Sequence, residues 1–201
     1  MPETSTRDTI LEIASRLFAS NGYAAVSMRD VAARVGVTQA NLYYHFKDKD
    51  HLIRDSLALI IAHKMEPMEE CLKAAHSNKE KIEFFISWFV RLVFEDRVFS
   101  KMILRELLDG DEDRLQYLSM EVFKRPFALL VDVMREYTGR VDPTLSAVSV
   151  AAIILGHFQL SRILPYLPDD RADHTAPDVV ARHVLAMLQG PLHDPAGSME
   201  T

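Results

Sequence analysis

Cysteine is almost absent from this sequence of 201 residues, in which Cys71 is the only one. A single cysteine forms no disulfide within the chain and cannot build a cysteine-rich zinc site. No uninterrupted apolar run approaches the roughly 20 residues of a membrane-spanning helix. Charged residues (Glu3, Arg7 and Asp8) stand where a signal peptide would be apolar. We therefore expect a cytoplasmic protein without membrane association.

Motifs of common enzymes are also missing. The sequence has no G-x-S-x-G, no phosphate-binding P-loop, no H-E-x-x-H and no G-x-G-x-x-G. Its eight histidines are scattered, with no pair at metal-ligand spacing beside a carboxylate cluster. We expect no enzyme activity, no catalytic residue, no metal and no cofactor. A helical enzyme of an unfamiliar type stays as an alternative that no group of residues supports.

Negative charge is unevenly distributed along the chain. The formal net charge is −6, yet residues 1–50 contain six bases and six acids and are neutral overall. All of the excess negative charge therefore lies in the remaining 151 residues. An acidic body behind a neutral head would limit non-specific adhesion to DNA and still permit local phosphate contacts.

Apolar residues recur at helical spacing throughout, and strand-like alternation is absent, so the sequence predicts an all-α protein of about nine helices. Three short helices in residues 1–50 would form a helix-turn-helix DNA-binding domain. Residues 51–190 would form a larger ligand-binding and dimerisation bundle, followed by a flexible tail at 191–201. Pro67 should end or kink the fourth helix, and Pro126 should kink a helix over 112–137.

The segment from Ser27 to Lys49 carries the functional signal. The pattern Ser27-Met-Arg-Asp30 predicts a capping box that opens a short helix, which Gly36 closes. Thr38 would cap the next helix, whose Leu42 and Phe46 would face the core. Two short helices joined by a tight turn form a helix-turn-helix, whose second helix enters the DNA major groove.

The recognition helix offers side chains suited to DNA. Gln39 could pair with an adenine edge, and Ala40 could touch a thymine methyl group. Hydroxyl, imidazole and ammonium groups nearby could reach phosphates or bases. Tyr44 is the tyrosine that we expect to pack on its neighbours instead, with only its polar tip in solvent. The full set of predicted DNA-contacting residues is Ser27, Arg29, Thr38, Gln39, Ala40, Tyr43, Tyr44, His45 and Lys49.

These residues resemble the DNA-binding domain of the TetR family of transcriptional regulators. The resemblance rests on Ser27-x-Arg-Asp-Val-Ala, followed by Gly-Val-Thr-Gln-Ala-Asn-Leu-Tyr-Tyr-His-Phe-Lys-Asp-Lys, and covers about residues 8–55. It implies an all-α homodimer with a C-terminal ligand-binding domain, usually a repressor. It also implies that Arg29, Thr38, Gln39, Tyr43, His45 and Lys49 lie where the family contacts DNA.

The C-terminal part should bind a small-molecule effector of unknown identity. Its aromatic and methionine residues are first of all core, because a bundle of this size needs them. Some of them, with a few polar residues, could line a pocket. The predicted ligand-binding residues are Trp88, Phe89, Met102, Arg105, Tyr117, Met120, Phe123 and His157.

A homodimer is expected through the last two helices, over residues 144–164 and 177–188. Small and apolar residues in the first of them would allow close approach across a two-fold axis, although an internal core helix would look similar. Two half-sites about one DNA turn apart require a dimer, so the predicted partner is double-stranded operator DNA, palindromic or nearly so.

A ligand-sequestering protein with a vestigial helix-turn-helix is the competing hypothesis.

Overall fold

The computed structural model describes residues 5–138, 142–168 and 173–189, so the tail predicted at 191–201 lies outside the described residues. Those described residues form ten α-helices, a π-helical turn and a 3-10 turn, and they contain no strand. This confirms the all-α prediction. The helices are α1 Thr6–Asn21, α2 Met28–Val35, α3 Gln39–His45, α4 Lys49–Ala74, α5 Asn78–Glu95, α6 Arg97–Asp109, α7 Glu112–Tyr117, α8 Lys124–Thr138, α9 Pro143–Leu160 and α10 Pro177–Gln189.

The chain divides into two compact units. The first unit comprises residues 1–66 and 96–124, and the second comprises residues 67–95 and 125–201. The first therefore contains the three short N-terminal helices together with α6 and α7, and it extends beyond the predicted domain boundary at residue 50. Helix α4 contributes residues to both units.

The first unit has a core drawn from consecutive N-terminal helices. Its fully buried side chains include Ile10, Leu11 and Phe18 from α1, Leu42 and Phe46 around α3, and Leu52 and Ile53 from α4. Burying such a side chain stabilises the fold by about 1.5–3 kcal/mol. This core fixes the orientation of the two short helices that the sequence identified.

The second unit packs α5 against α9 and α10. Residues with at most 3% exposure line these helices: Ile82, Phe85, Ile86, Val90, Ala147, Val150, Ile154, Val180 and Val184. Helix α9 buries only one stripe of small and apolar residues, and 22% of its length is buried. With 18 residues and no Asp, Glu, Lys or Arg, it has the length and composition of a membrane span, but a core helix of a soluble protein meets the same two conditions.

Helix α4 continues past Pro67 to Ala74, so of the two predicted effects of this proline an end of the helix is wrong, and a kink stays a prediction. Proline has no N–H to donate, so one hydrogen bond of the helix is lost there. Met65, Met68 and Leu72 flank the proline at helical spacing and are all buried. Their packing favours a continuous helix and offsets the missing bond, because tertiary burial rather than local propensity supplies most helical stability.

The expected helix over 112–137 is interrupted earlier than Pro126. Helix α7 ends in a π-helical turn, Leu118–Val122, closed by a hydrogen bond of 2.7 Å from the Phe123 N–H to the Leu118 carbonyl. Helix α8 then starts at Lys124, which places Pro126 in its first turn. Proline costs no hydrogen bond at that position, because the first N–H groups of a helix have no helical acceptor. The interruption thus lies close to Pro126, where the kink was predicted, but the π-helical turn rather than the proline forms it.

Candidate nucleic-acid interface

The N-terminus of α2 has the predicted capping box, and Gly36 ends the same helix. Ser27 Oγ accepts a hydrogen bond from the Asp30 N–H at 3.2 Å, while Asp30 Oδ2 accepts from the Ser27 N–H and hydroxyl at 3.0 and 2.6 Å. These bonds from Ser27, with a smaller contribution from Arg29, lower the pKa of the Asp30 carboxyl. Gly36 ends α2 at φ +83°, a left-handed conformation that glycine adopts without strain. The backbone N–H and the hydroxyl of Ser27 thus both donate within the capping box.

Helix α3 presents most of its side chains to solvent. Leu42 and the following Phe46 have no exposed surface, as predicted. The remaining members of α3 are half-buried His45 and five exposed residues, Gln39, Ala40, Asn41, Tyr43 and Tyr44. Tyr44 is 84% exposed and Tyr43 51%, so the expectation that Tyr44 packs on its neighbours is wrong. Asn41, which the sequence did not single out, belongs to the same exposed set.

Thr38 caps α3 and keeps a hydrogen to donate. Its Oγ1 accepts a hydrogen bond of 3.2 Å from the Asn41 N–H. A hydroxyl can accept and donate at once, so the same oxygen can still donate its own proton to an acceptor such as a phosphate. The capping role of Thr38 is therefore compatible with the phosphate contact predicted for it, which stays a prediction.

Lys49, at the start of α4, is held by Tyr23. Its Nζ donates a hydrogen bond of 2.9 Å to the Tyr23 carbonyl and lies 3.9 Å from the centre of the Tyr23 ring. The Tyr23 hydroxyl donates to Asp50 Oδ1 at 2.9 Å. Burial and the bond to Asp50 raise the pKa of Tyr23 to about 12, so the phenol stays protonated at neutral pH. An ammonium group has three N–H donors, and this arrangement uses one of them.

Arg114 of α7 lies over the same tyrosine. Its guanidinium carbon is 4.0 Å from the centre of the Tyr23 ring. The guanidinium also donates to Glu106 Oε2 at 2.9 Å and to Asp111 Oδ2 at 2.6 Å. Arg114 and Glu106 are buried. Sequence analysis missed Arg114, because its partners are brought together by the break between α6 and α7 rather than by helical spacing.

Five of the predicted ligand-binding residues lie in the first unit: Met102, Arg105, Tyr117, Met120 and Phe123. Met102 is 2% exposed and belongs to the core. Arg105 donates a hydrogen bond of 3.2 Å to the Ser20 carbonyl. The guanidinium of Arg54 lies over the Tyr117 ring, with its carbon 5.3 Å from the ring centre. Phe123 is half-buried and Met120 is exposed.

The other three predicted ligand-binding residues lie in the second unit. Trp88 and Phe89 are half-buried and stack with ring centres 6.2 Å apart, and both rings meet Phe85. His157 meets the His183 ring edge-on at 5.4 Å. Burial, and to a lesser degree His183, lower the pKa of the His157 imidazole. The structure thus pairs Trp88 with Phe89 inside the second unit.

The second unit contains two cavities, of about 500 and about 330 Å³. The larger is lined by Cys71, Ala74, Ala75, Glu80, Glu83, Phe84 and Ser87. The smaller is lined by Glu69, Leu72, Lys73, Ala75, Lys81, Leu129, Asp132, Val133 and Glu136. None of the eight predicted ligand-binding residues is among these lining residues, so their role stays a prediction.

Comparisons with known proteins agree with the helix-turn-helix. Residues 10–55 match the sequence model of "Bacterial regulatory proteins, tetR family". The transcriptional repressor KstR2 of Mycolicibacterium smegmatis is 32% identical over 78 residues, which are 39% of this chain and 38% of KstR2. The regulator SAUSA300_2515 of Staphylococcus aureus is 24% identical over 133 residues, which are 64% of this chain and 67% of that protein.

Solved structures share the fold along most of the chain. Bacillus subtilis FadR in complex with stearoyl-CoA has a TM-score of 0.73 at 21% identity, covering 89% of this chain and 97% of FadR. The TetR-family regulator PfmR of Thermus thermophilus has a TM-score of 0.70 at 24% identity, covering 93% of this chain and 97% of PfmR. With the family match over residues 10–55, these likenesses show a helix-turn-helix of the TetR-family type within a fold that solved transcriptional regulators share.

Proposed function

We propose that this protein is a homodimeric repressor that inserts α3 into the major groove of an operator and leaves the DNA when a small-molecule effector binds. The exposed surface of α3 is the observation that carries the proposal. Five of its seven side chains are exposed, among them two tyrosines, while its apolar anchor Leu42 is fully buried. An exposed aromatic surface on a short helix after a tight turn suits a groove-binding helix.

Contacts with DNA divide into base reading and phosphate binding. Gln39 and Asn41 carry amides that can each form two hydrogen bonds with an adenine edge, and Ala40 can contact a thymine methyl group. The hydroxyl of Thr38 and the ammonium of Lys49 suit phosphates. Tyr43, Tyr44, His45 and Arg29 would complete the interface, and Ser27 would act chiefly through the capping box.

Dimerisation through α9 and α10 is supported by their uncovered apolar residues. Leu145, Val148 and Leu160 of α9 are 66%, 49% and 55% exposed, and Met187 of α10 is 45% exposed. A partner copy that covers these side chains would remove apolar surface from water, which favours association. The two-fold axis would hold two recognition helices roughly 34 Å apart, as a palindromic operator requires.

Effector response is proposed to pass along α4. This helix carries Lys49 in the first unit and residues 67–74 in the second. A ligand that prefers a conformation with misaligned recognition helices would shift the population away from the DNA-binding state. The name of KstR2 as a repressor and the stearoyl-CoA bound to FadR support this kind of regulation.

The test is fluorescence anisotropy with labelled DNA from the region upstream of the protein's own gene. We expect preference for one palindromic segment over a scrambled duplex of the same composition, with an affinity that falls as salt rises. Equal affinity for both duplexes, or no binding to any upstream fragment, would contradict the proposal.

A further inference from the structure

We infer that the cavity of about 330 Å³ in the second unit binds a small apolar amine through the buried carboxylate of Glu69. The cavity lies among α4, α5 and α8, and its volume is at the lower end of the range for small-molecule sites, roughly 300–1,000 Å³. The inference names an effector class and thereby deepens the proposed function, on which its regulatory meaning rests.

Glu69 carries a hydrogen-bond acceptor without a donor. Its side chain is 10% exposed, and its Oε2 accepts a hydrogen bond from Arg125. Its Oε1 is buried and accepts no hydrogen bond from any residue that the structure describes. A buried carboxylate oxygen without a donor is unfavourable, so a ligand N–H group in the cavity toward which the Glu69 carboxylate can turn would gain a hydrogen bond that the free protein lacks.

The walls of the cavity favour a hydrocarbon body on that ligand. Leu72 and Val133 line it and are buried, and half-buried Leu129 lines it as well. A ligand with an apolar body would cover these side chains and remove their remaining surface from water. The site thus offers an apolar surface with one polar anchor, which is a common composition for small-molecule sites.

The carboxylate of Glu69, rather than the total charge around the cavity, favours an ammonium group over a neutral donor, because Asp132 is already paired with Arg135 and Glu136 with Lys81. The ionisable lining residues are three acids and two bases: Glu69, Asp132, Glu136, Lys73 and Lys81. Lys81 Nζ lies 2.7 Å from Glu136 Oε2, and Lys73 is exposed, so solvent screens its charge. Arg125, the partner of Glu69, is itself 73% exposed. An ammonium donor would form a charge-assisted hydrogen bond to the carboxylate, stronger than one from a neutral group.

The experiment measures binding of three probes to the full chain by saturation-transfer NMR. The probes are 2-phenylethylamine, 2-phenylethanol and 3-phenylpropanoate, which share an aromatic body and differ in the polar group. We expect the amine to bind about ten-fold or more tightly than the alcohol, because its hydrogen bond is charge-assisted. Equal binding of amine and alcohol, preference for the carboxylate, or no binding of the amine would overturn the inference.

Two variants locate the site. Glu69→Gln removes the charge with little change of shape and should abolish amine binding, whereas Glu70→Gln changes an exposed neighbour on α4 and should leave it intact. Leu129→Phe narrows the cavity without altering charge and should weaken binding. Circular dichroism verifies the fold of each. Unchanged amine binding in either Glu69→Gln or Leu129→Phe would place the amine elsewhere and overturn the inference.

Because the NMR samples contain no DNA, they decide the amine site independently of repression. A parallel anisotropy titration with operator DNA tests whether the amine weakens DNA binding of the wild-type protein and leaves that of Glu69→Gln unchanged. Retained operator affinity despite amine binding would contradict only the effector role in the proposed function.

Discussion

Lys49 Nζ donates a hydrogen bond of 2.9 Å to the carbonyl of Tyr23 and lies 3.9 Å from the centre of its ring. The lysine predicted to bind a phosphate is therefore already positioned without DNA. A long side chain that becomes ordered only on binding loses conformational entropy at that moment, and this loss weakens binding. Because the Lys49 side chain is already ordered in the folded protein, that loss is smaller and the affinity for DNA is higher. Tyr23 links this lysine to Arg114, whose guanidinium carbon lies 4.0 Å from the same ring centre.

Lys49→Ala should weaken DNA binding for all sequences alike, because the partner proposed for its ammonium group is a phosphate rather than a base. Removing one phosphate contact should also lower the slope of log affinity against log salt by about one. Anisotropy titrations at several KCl concentrations measure both quantities. Lys101→Ala, which removes an exposed lysine of α6, is the matched control and should change neither. An unchanged salt slope in Lys49→Ala would exclude Lys49 from the interface.

Gln39→Ala should reduce specificity without changing the salt slope. Loss of a base contact should cost about 1–3 kcal/mol of specific binding and relax the preference at one base pair. Competition with operators substituted at single positions measures that preference. Gln116→Ala, which changes an exposed glutamine of α7, serves as the control. If Gln39→Ala weakens specific and scrambled duplexes equally, Gln39 contacts the backbone instead.

The Asp30 carboxyl should make stability depend on acid pH. Hydrogen bonds from Ser27 lower its pKa below the ordinary 3.8 in the folded protein. Such a group contributes stability above the unfolded pKa, and this contribution is lost as the pH falls through the folded pKa. Asp30→Asn should therefore unfold more easily at pH 7, with the difference from wild type shrinking below pH 3.8. Urea unfolding at pH 7 and at acid pH measures the difference, and a gap that widens in acid would contradict it.

The helix-turn-helix was predictable because its signals are local. The capping box at Ser27, the left-handed Gly36 and the cap at Thr38 each depend on a few consecutive residues, and the structure has all three. The apolar spacing of Leu42 and Phe46 also fixed the buried side of α3 correctly. Short-range hydrogen bonding and helical spacing thus defined this segment without knowledge of distant contacts.

The second unit was less predictable because its features depend on residues far apart in sequence. Packing on both sides of Pro67 keeps α4 continuous, although the proline alone predicts a break. Glu69 and Val133 meet at one cavity from helices more than sixty residues apart. We predicted aromatic residues such as Trp88 to line a pocket because they are large. Size alone does not distinguish a ring packed in the core from one that lines a cavity.

Arg114→Met should destabilise the first unit by about 3–5 kcal/mol, because it leaves the buried carboxylate of Glu106 without its partner. Adding Glu106→Gln to Arg114→Met should restore much of the loss, since the uncompensated charge is then gone. Urea unfolding gives the free energies. Arg91→Met breaks an exposed pair with Asp178 and should change stability little. Equal effects of the two arginine substitutions would contradict a special role for the buried pair.

Val148→Glu should prevent dimerisation and with it operator binding. Val148 is 49% exposed on α9, and a partner that covers it would have to bury an unpaired carboxylate in the variant. A cost of about 4 kcal/mol corresponds to a loss of roughly a thousand-fold in the dimer constant. Light scattering coupled to size exclusion measures the mass, and anisotropy measures operator affinity.

Leu108→Glu is the matched control for Val148→Glu, because Leu108 is even more exposed, at 75%, but lies on α6. It should stay dimeric and keep its operator affinity. If both variants dimerise, the interface lies away from Val148, and the open apolar side of α9 needs another explanation. If Val148→Glu is monomeric yet binds a full operator as tightly as the wild type, a two-fold arrangement of recognition helices is not required for binding.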